Sequence, residues 1–169
     1  QTCALPILYY LIYCPRKSSR LVYATSKSPT GPFEYRGVII DNAVDYPSGN
    51  NHGSICNIND QWYIFYHRMT NNTIMSRRGC VEKIEILPDG TIQEVEMTSL
   101  GFDNSLSPYK ITPAEIACVL KGGCFITEKN VTSRPITSII SGCIIGYKYF
   151  DFGSDFSSKT MKFSALVKG

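Results

Sequence analysis

The sequence predicts an all-β chain: two consecutive antiparallel meanders of the kind that form propeller blades, followed by part of a β-sandwich. Three observations carry this. Aromatic and β-branched residues recur at period two, most clearly over Gln61–Arg68, where Trp62, Ile64 and Tyr66 alternate with Tyr63, Phe65 and His67. The apolar runs are short and are separated by clusters of Pro, Gly, Asn, Asp and Ser. No amphipathic helical pattern occurs before residue 100. Two meanders, of three and four strands, fit blades better than one sandwich because each closes on itself before the next begins.

Composition narrows the function classes. A chain of 169 residues, 43% hydrophobic and 12% aromatic, can build a core and is not a disordered tail. The net charge of +3 is small, and Arg16, Lys17 and Arg20 make only a short basic turn, so nucleic acid is not an expected partner. A membrane is not expected either. Ala4–Cys14 is apolar enough for a signal-peptide core, but no positive residues precede it and no small-residue cleavage site follows, so it reads as a buried strand. The seven cysteines are odd in number and lack CxxC spacing, which indicates neither a zinc site nor a disulfide framework. Buried free thiols of a reducing compartment, the cytoplasm, are the simpler expectation.

Taken in order, Gln1–Ile7 reads as the translation of a sequencing-library adaptor, and residues 1–7 are set aside from the fold. The natural protein is then expected to begin upstream of Leu8. A tyrosine-rich strand follows, then Arg20–Ser26 and Phe33–Ile40, the last two divided by the turn Ser28-Pro29-Thr30-Gly31-Pro32. After the polar loop Asp41–Gly49, the second meander runs through His52–Asn57, Gln61–Arg68, Arg77–Leu87 and Thr91–Met97, with turns at 57–60 and 88–90. This first domain spans 8–101. Residues 102–108 read as a linker. Over 109–169, apolar stretches at Ile116–Leu120, Cys124–Thr127, Ile136–Ile140, Ile144–Phe152 and Met161–Val167, punctuated by glycine, suggest a β-sandwich. It has only about half of the roughly 100 residues such a module needs, so both ends are expected to be cut.

The most polar stretch is Ser48-Gly49-Asn50-Asn51-His52-Gly53-Ser54. An imidazole among amides, glycines and a hydroxyl suits a hydrogen-bonded cavity, although Asn and Gly can equally serve turn geometry. Glu34, Asp41 and Asp45 read as solvated strand-edge and loop carboxylates. Glu82, Glu85, Glu94 and Glu96 read as outer-face charges. His67 reads as a core or inter-blade histidine, and Trp62 as packing between blades.

Tyr9-Tyr10-Leu11-Ile12-Tyr13, Tyr23–Phe33 and Gly37-Val38-Ile39-Ile40 resemble the fourth blade of glycoside hydrolase family 43. SGNNHGS, Trp62–His67, Arg77–Glu82 and Val95–Ser99 resemble its fifth blade and exit. The resemblance implies the last two blades of a five-bladed β-propeller, in an inverting hydrolase acting on arabinose- and xylose-containing plant oligo- or polysaccharides. Such enzymes need a carboxylate base and a carboxylic acid roughly 6.5–9.5 Å apart. Those carboxylates belong to earlier blades, upstream of Leu8, so this chain alone is expected to be inactive. Carried over residue by residue, His52 matches a central-channel histidine beneath the sugar that, through waters, helps hold a calcium ion, and Arg77 matches the arginine that reaches the catalytic carboxylates and sugar hydroxyls. Arg78 should point to the opposite strand face, into an outer salt bridge. Residues 109–169, with Ala114–Cys118 and Gly146–Phe152, resemble a family 6 carbohydrate-binding module. There Glu115 lies near a structural calcium position, while Tyr147 and Tyr149 could stack on sugars or simply alternate between core and surface. The alternative for the whole is a non-catalytic carbohydrate-binding propeller.

Overall fold

Two three-stranded antiparallel sheets form the body of the computed structural model, which describes residues 7–16, 18–42, 50–154 and 160–168. The first is a meander of β1 (Tyr9–Tyr13), β2 (Arg20–Ser26) and β3 (Glu34–Asp41). β2 is central, and Leu21, Val22, Tyr23 and Ala24 are all buried, as a strand covered on both faces should be. The second is β4 (Ser54–Ile58), β5 (Gln61–Thr70) and β6 (Thr73–Ile84). Its first turn holds Asn59 and Asp60 at φ of 50° and 64°, the left-handed pair that two-residue hairpins require. Its second turn, Asn71-Asn72, does the same at 54° and 50°. β5 therefore runs to Thr70 and β6 starts at Thr73, four residues earlier than the expected Arg77. Asp45, Lys17, residues 1–6 and the Ser48-Gly49 opening of SGNNHGS lie outside the described residues. Ile7 is exposed.

The expected fourth strand of the second meander, Thr91–Met97, is not one. It contributes a single bridge, Ile86 to Ile92, and then crosses to the first sheet. The Tyr23 hydroxyl donates to the Ile92 carbonyl at 3.2 Å and accepts from its N–H at 2.9 Å, and the Val95 N–H donates to the Ile39 carbonyl at 2.8 Å. One side-chain hydroxyl thus satisfies both backbone groups of Ile92 on the side turned away from Ile86. The two sheets share one core, formed by Leu21, Tyr23, Ile39, Ile40, Ile64, Tyr66, Ile84, Ile92 and Met97, with Trp62 packed against it as expected.

The region after residue 109 is all-β but holds only short ladders. β7 (Val119–Lys121) pairs with β10 (Ile144–Gly146), and β8 (Phe125–Ile126) with β9 (Ile136–Thr137). A 3₁₀ turn occupies Ala114–Ile116. Ala117, Leu120, Cys124 and Ile126 form its small core. The alternation of Met161–Val167 does not produce a strand: no described strand lies beside it, and Phe163 and Leu166 are fully exposed. An unpaired strand leaves its ladder bonds unmade, so period two alone cannot fix one. Residues of the expected linker are held in place, since Leu106 donates to the Tyr149 carbonyl at 2.7 Å and accepts from the Asp151 N–H at 2.9 Å.

Candidate functional site

SGNNHGS divides, residue by residue, into structural and free groups. Asn51 is fully buried and joins the sheets: its amide donates to the Ser19 carbonyl at 2.9 Å, and its Oδ1 accepts the His67 N–H at 3.4 Å. Gly53 sits where β4 meets β5 against the first sheet. A Cβ there would collide with the Phe65 carbonyl oxygen and lie 2.5 Å from Leu21 Cδ1, so only glycine fits. His52, between them, turns its ring to the open side and is exposed.

His67 is the residue His52 rests on. The two rings stack with centroids 5.9 Å apart and planes at 22°. The His52 N–H points at His67 Nδ1 at 3.3 Å, and His67 Nε2 lies 3.0 Å from the Asn50 carbonyl. Nδ1 must therefore accept and Nε2 donate, which describes the neutral Nε2–H tautomer. Burial lowers the pKa of His67, and the charge of Arg77 lowers it further. Arg77 lies opposite Met69 on β6, one step along the same ribbon face, and is exposed. The register and the histidine stacking thus put His52 and Arg77 on one face of the ribbon. Among the described residues, neither the His52 ring nor the Arg77 guanidinium has a hydrogen-bond partner.

These residues do not by themselves fit a calcium ion. Calcium takes six to eight oxygens, whereas the groups at hand are two imidazoles, one of them fully bonded, and a guanidinium cation. Among the described residues no group of three or more His, Cys, Asp or Glu could hold a metal. Glu115, expected near a second calcium, sits in the 3₁₀ turn and receives Arg78 through its backbone carbonyl.

The opposite face of the same ribbon holds what sequence reasoning missed. Arg68 and Arg78 lie directly opposite each other in register. Arg68, only 3% exposed, donates to the Cys118 carbonyl at 2.7 Å. Arg78 donates to the carbonyls of Glu115 and Ala117, the latter at 3.0 Å. The expected outer salt bridge for Arg78 is therefore absent, because the 115–118 segment covers the guanidinium with carbonyl oxygens. Glu82 is not an outer-face charge either. It is 5% exposed and accepts from the Thr98 N–H at 2.8 Å, the Thr98 hydroxyl at 2.6 Å and the Tyr66 hydroxyl at 3.1 Å. Burial raises its pKa, and those three donors oppose the rise. A cleft of about 820 Å³ borders the cluster, with Lys110, Ser105 and Thr112 on its far wall. The signal for Glu82 was there: on a strand that alternates, it shares a face with Ile84 and Cys80.

The other described carboxylates are engaged or exposed. Asp41 pairs with Arg20 at 2.8 Å, Glu96 binds Lys148 and the Tyr149 hydroxyl, and Asp89 caps its own turn through the Thr91 N–H at 2.9 Å. Glu82 has no second buried carboxylate to work with among the described residues. Tyr147 is half-buried with its hydroxyl on the Ala114 carbonyl at 3.3 Å, and Tyr149 is 54% exposed.

No family model matches the chain. It is 52% identical over 73% of its length to a protein of Thermoclostridium stercorarium named a xylosidase/arabinosidase. Over 91% of its length it is 29% identical to an arabinoxylan arabinofuranohydrolase of Paenibacillus polymyxa. Each match covers 28% of the relative, so the chain spans under a third of the length of these curated proteins. A crystal structure of a family 43 arabinoxylan arabinofuranohydrolase from Bacillus subtilis, in complex with cellotetraose, aligns with 86% of this chain and 35% of its own at 30% identity and a TM-score of 0.49. That score does not by itself assign the fold. Over most of its length the chain is thus similar in sequence to proteins named for xylosidase, arabinosidase and arabinofuranohydrolase activity.

Proposed function

We propose that the chain is the C-terminal part of the catalytic propeller of a family 43 glycoside hydrolase, together with the start of a following carbohydrate-binding-like module. In this reading the parent removes arabinofuranosyl or xylosyl units from plant-type polysaccharides or oligosaccharides. The observation that carries it is the 52% identity over 73% of the chain to a xylosidase/arabinosidase. In this reading 8–101 belong to the propeller, 102–108 join it to the second module, and the acid and base come from blades preceding this chain. His52 and Arg77 would line the sugar end of the channel. Arg77 donates in a planar fork, so it suits carboxylates and vicinal hydroxyls. The neutral His67 beneath fixes the His52 backbone and keeps a second positive charge away from Arg77. A calcium ion above His52 would have to take its oxygens from water and from residues other than those described.

The test uses the full-length parent gene product and this chain side by side, on aryl arabinofuranoside and aryl xyloside. The parent should turn over at least one of them, and the chain alone neither. In the parent, Arg77→Ala should lower kcat/KM roughly tenfold to a hundredfold, since hydrogen bonds involving a charged group are worth about 1.5–3 kcal/mol. His52→Ala should also reduce it, and Arg78→Ala should leave it within a few-fold. A parent that binds xylo-oligosaccharide but turns over no glycoside would favour the non-catalytic binding propeller instead.

A further inference from the structure

Two cysteines of the small C-terminal core lie just beyond the Lys121–Ile144 end of the β7–β10 ladder. In that ladder Lys121 pairs with Ile144, which puts Gly122 opposite Cys143. The approach there is close: a Cβ on Gly122 would lie 2.9 Å from the Cys143 Cα. The Cys143 sulfur lies 3.2 Å from the Gly122 carbonyl. The Cys124 sulfur lies 3.3 Å from the Lys121 carbonyl and 3.9 Å from that of Ile144. Each sulfur thus lies against backbone flanking the other cysteine, and Cys143 packs against the core cluster that contains Cys124. Cys124 is 3% exposed, whereas Cys143 is partly open to solvent.

We propose that Cys124 and Cys143 are a redox pair that closes to a disulfide, with Cys143 as the entry thiol and Cys124 as the resolving one. The oxidant is a small-molecule disulfide. The Cys143 thiolate attacks one of its sulfurs, forming a mixed disulfide and releasing the first small thiol. The Cys124 thiolate then attacks the Cys143 sulfur, forming the Cys124–Cys143 bond and expelling the second. Two protein thiols are oxidised and one small disulfide is reduced to two thiols. The bond would staple the start of β10 to the turn after β7, enclosing β8 and β9 in a loop of 125–142. Closing such a loop removes disorder from the unfolded chain and not from the fold. This inference is independent of the glycosidase reading and qualifies the expectation of uniformly free thiols.

The experiment treats the full native chain with oxidised glutathione, counts the remaining thiols by alkylation and mass, and maps cross-linked peptides. The free-thiol count should fall from the seven of the sequence by two, with no glutathione retained. The cross-link should join Cys124 to Cys143, and the melting temperature should rise by a few degrees and return on adding dithiothreitol. Cys124→Ser should trap one glutathione on Cys143, and Cys143→Ser should give no cross-link at Cys124. The proposal is overturned if both thiols stay free, if Cys124 couples to the neighbouring Cys118 instead, or if the cross-link forms only in denaturant.

Discussion

The β5–β6 ribbon has two faces that use the same residue types in opposite ways. One face carries His52, His67 and Arg77. Its charged and aromatic tips are open, and its one buried member, His67, is kept neutral by burial first and by the charge of Arg77. The other carries Arg68, Arg78 and Glu82, each covered and each bonded to groups from elsewhere in the chain, while Arg68 Nη2 and Arg78 Nε stay buried without a partner among the described residues. Arg77 and Arg78 are neighbours in sequence, yet the pleat sends one outward and the other under the 115–118 segment. A guanidinium left without partners can recognise a ligand. One clamped by carbonyls holds two parts of the fold together. The difference lies in what the rest of the chain lays over each face, not in the residues.

The strongest way to break the comparison is at Gly53, which lies against the Phe65 carbonyl and Leu21 beside His52. Gly53→Ala must push β4 off β5 and Leu21, and should destabilise the chain by more than about 3 kcal/mol in urea, the upper end for overpacking. Ser54→Ala, an exposed position one residue on, should be silent. A tolerated Gly53→Ala would mean that β4 can shift freely, and His52 would lose its fixed place over His67. Next in size is Glu82→Ala. It leaves the Thr98 N–H and the Tyr66 hydroxyl without an acceptor beside two arginines, and should cost about 2–3 kcal/mol. A cost below about 0.5 kcal/mol would return Glu82 to the outer face where its charge alone first placed it.

These positions also show what could be read in advance. Period-two patterning reached the strands because each strand of the two meanders has a partner beside it. The same patterning failed at Thr91–Met97, where the Tyr23 hydroxyl takes over the bonding of Ile92, and at Met161–Val167, where no partner strand is described. The strand faces were legible from alternation alone: His52 and Arg77 share a face, and Arg78 does not. What Arg78 and Glu82 bind was not legible, because their partners are backbone groups of 115–118 and a threonine at 98, chosen by tertiary packing. The Asn71-Asn72 turn was available in the sequence, since asparagine tolerates the left-handed region that a two-residue hairpin demands.

The adjacent arginines give a smaller and more direct contrast. Arg78→Ala removes charge-assisted bonds to two carbonyls that then lie under a covering segment, and should cost about 2 kcal/mol. Arg77→Ala removes an exposed side chain and should change stability by less than about 0.5 kcal/mol. Chemical denaturation of the two variants separates them. Equal costs would show that both guanidiniums serve the fold, and the case for Arg77 as a ligand-facing group would lose its structural support.

The smallest effect distinguishes the faces by pH. Burial raises the pKa of Glu82, so the fold favours its protonated form. Its contribution is full below the unfolded carboxyl value near 4.5 and is lost as pH rises through the folded value. Burial and Arg77 lower the pKa of His67, so the fold favours the neutral ring. Its contribution is full above the unfolded value near 6.5 and is lost as pH falls towards the folded one. Replacing either group with glutamine removes only its own slope. The melting temperature of Glu82→Gln relative to the parent chain should therefore rise with increasing pH above about 4.5. That of His67→Gln should rise with decreasing pH below about 6.5. Slopes of the same sign would mean that one of the two groups is not confined as its neighbours indicate. If only the His67 slope vanished in an Arg77→Ala background, the guanidinium would be its main cause, and the two residues would act as one electrostatic unit on the open face.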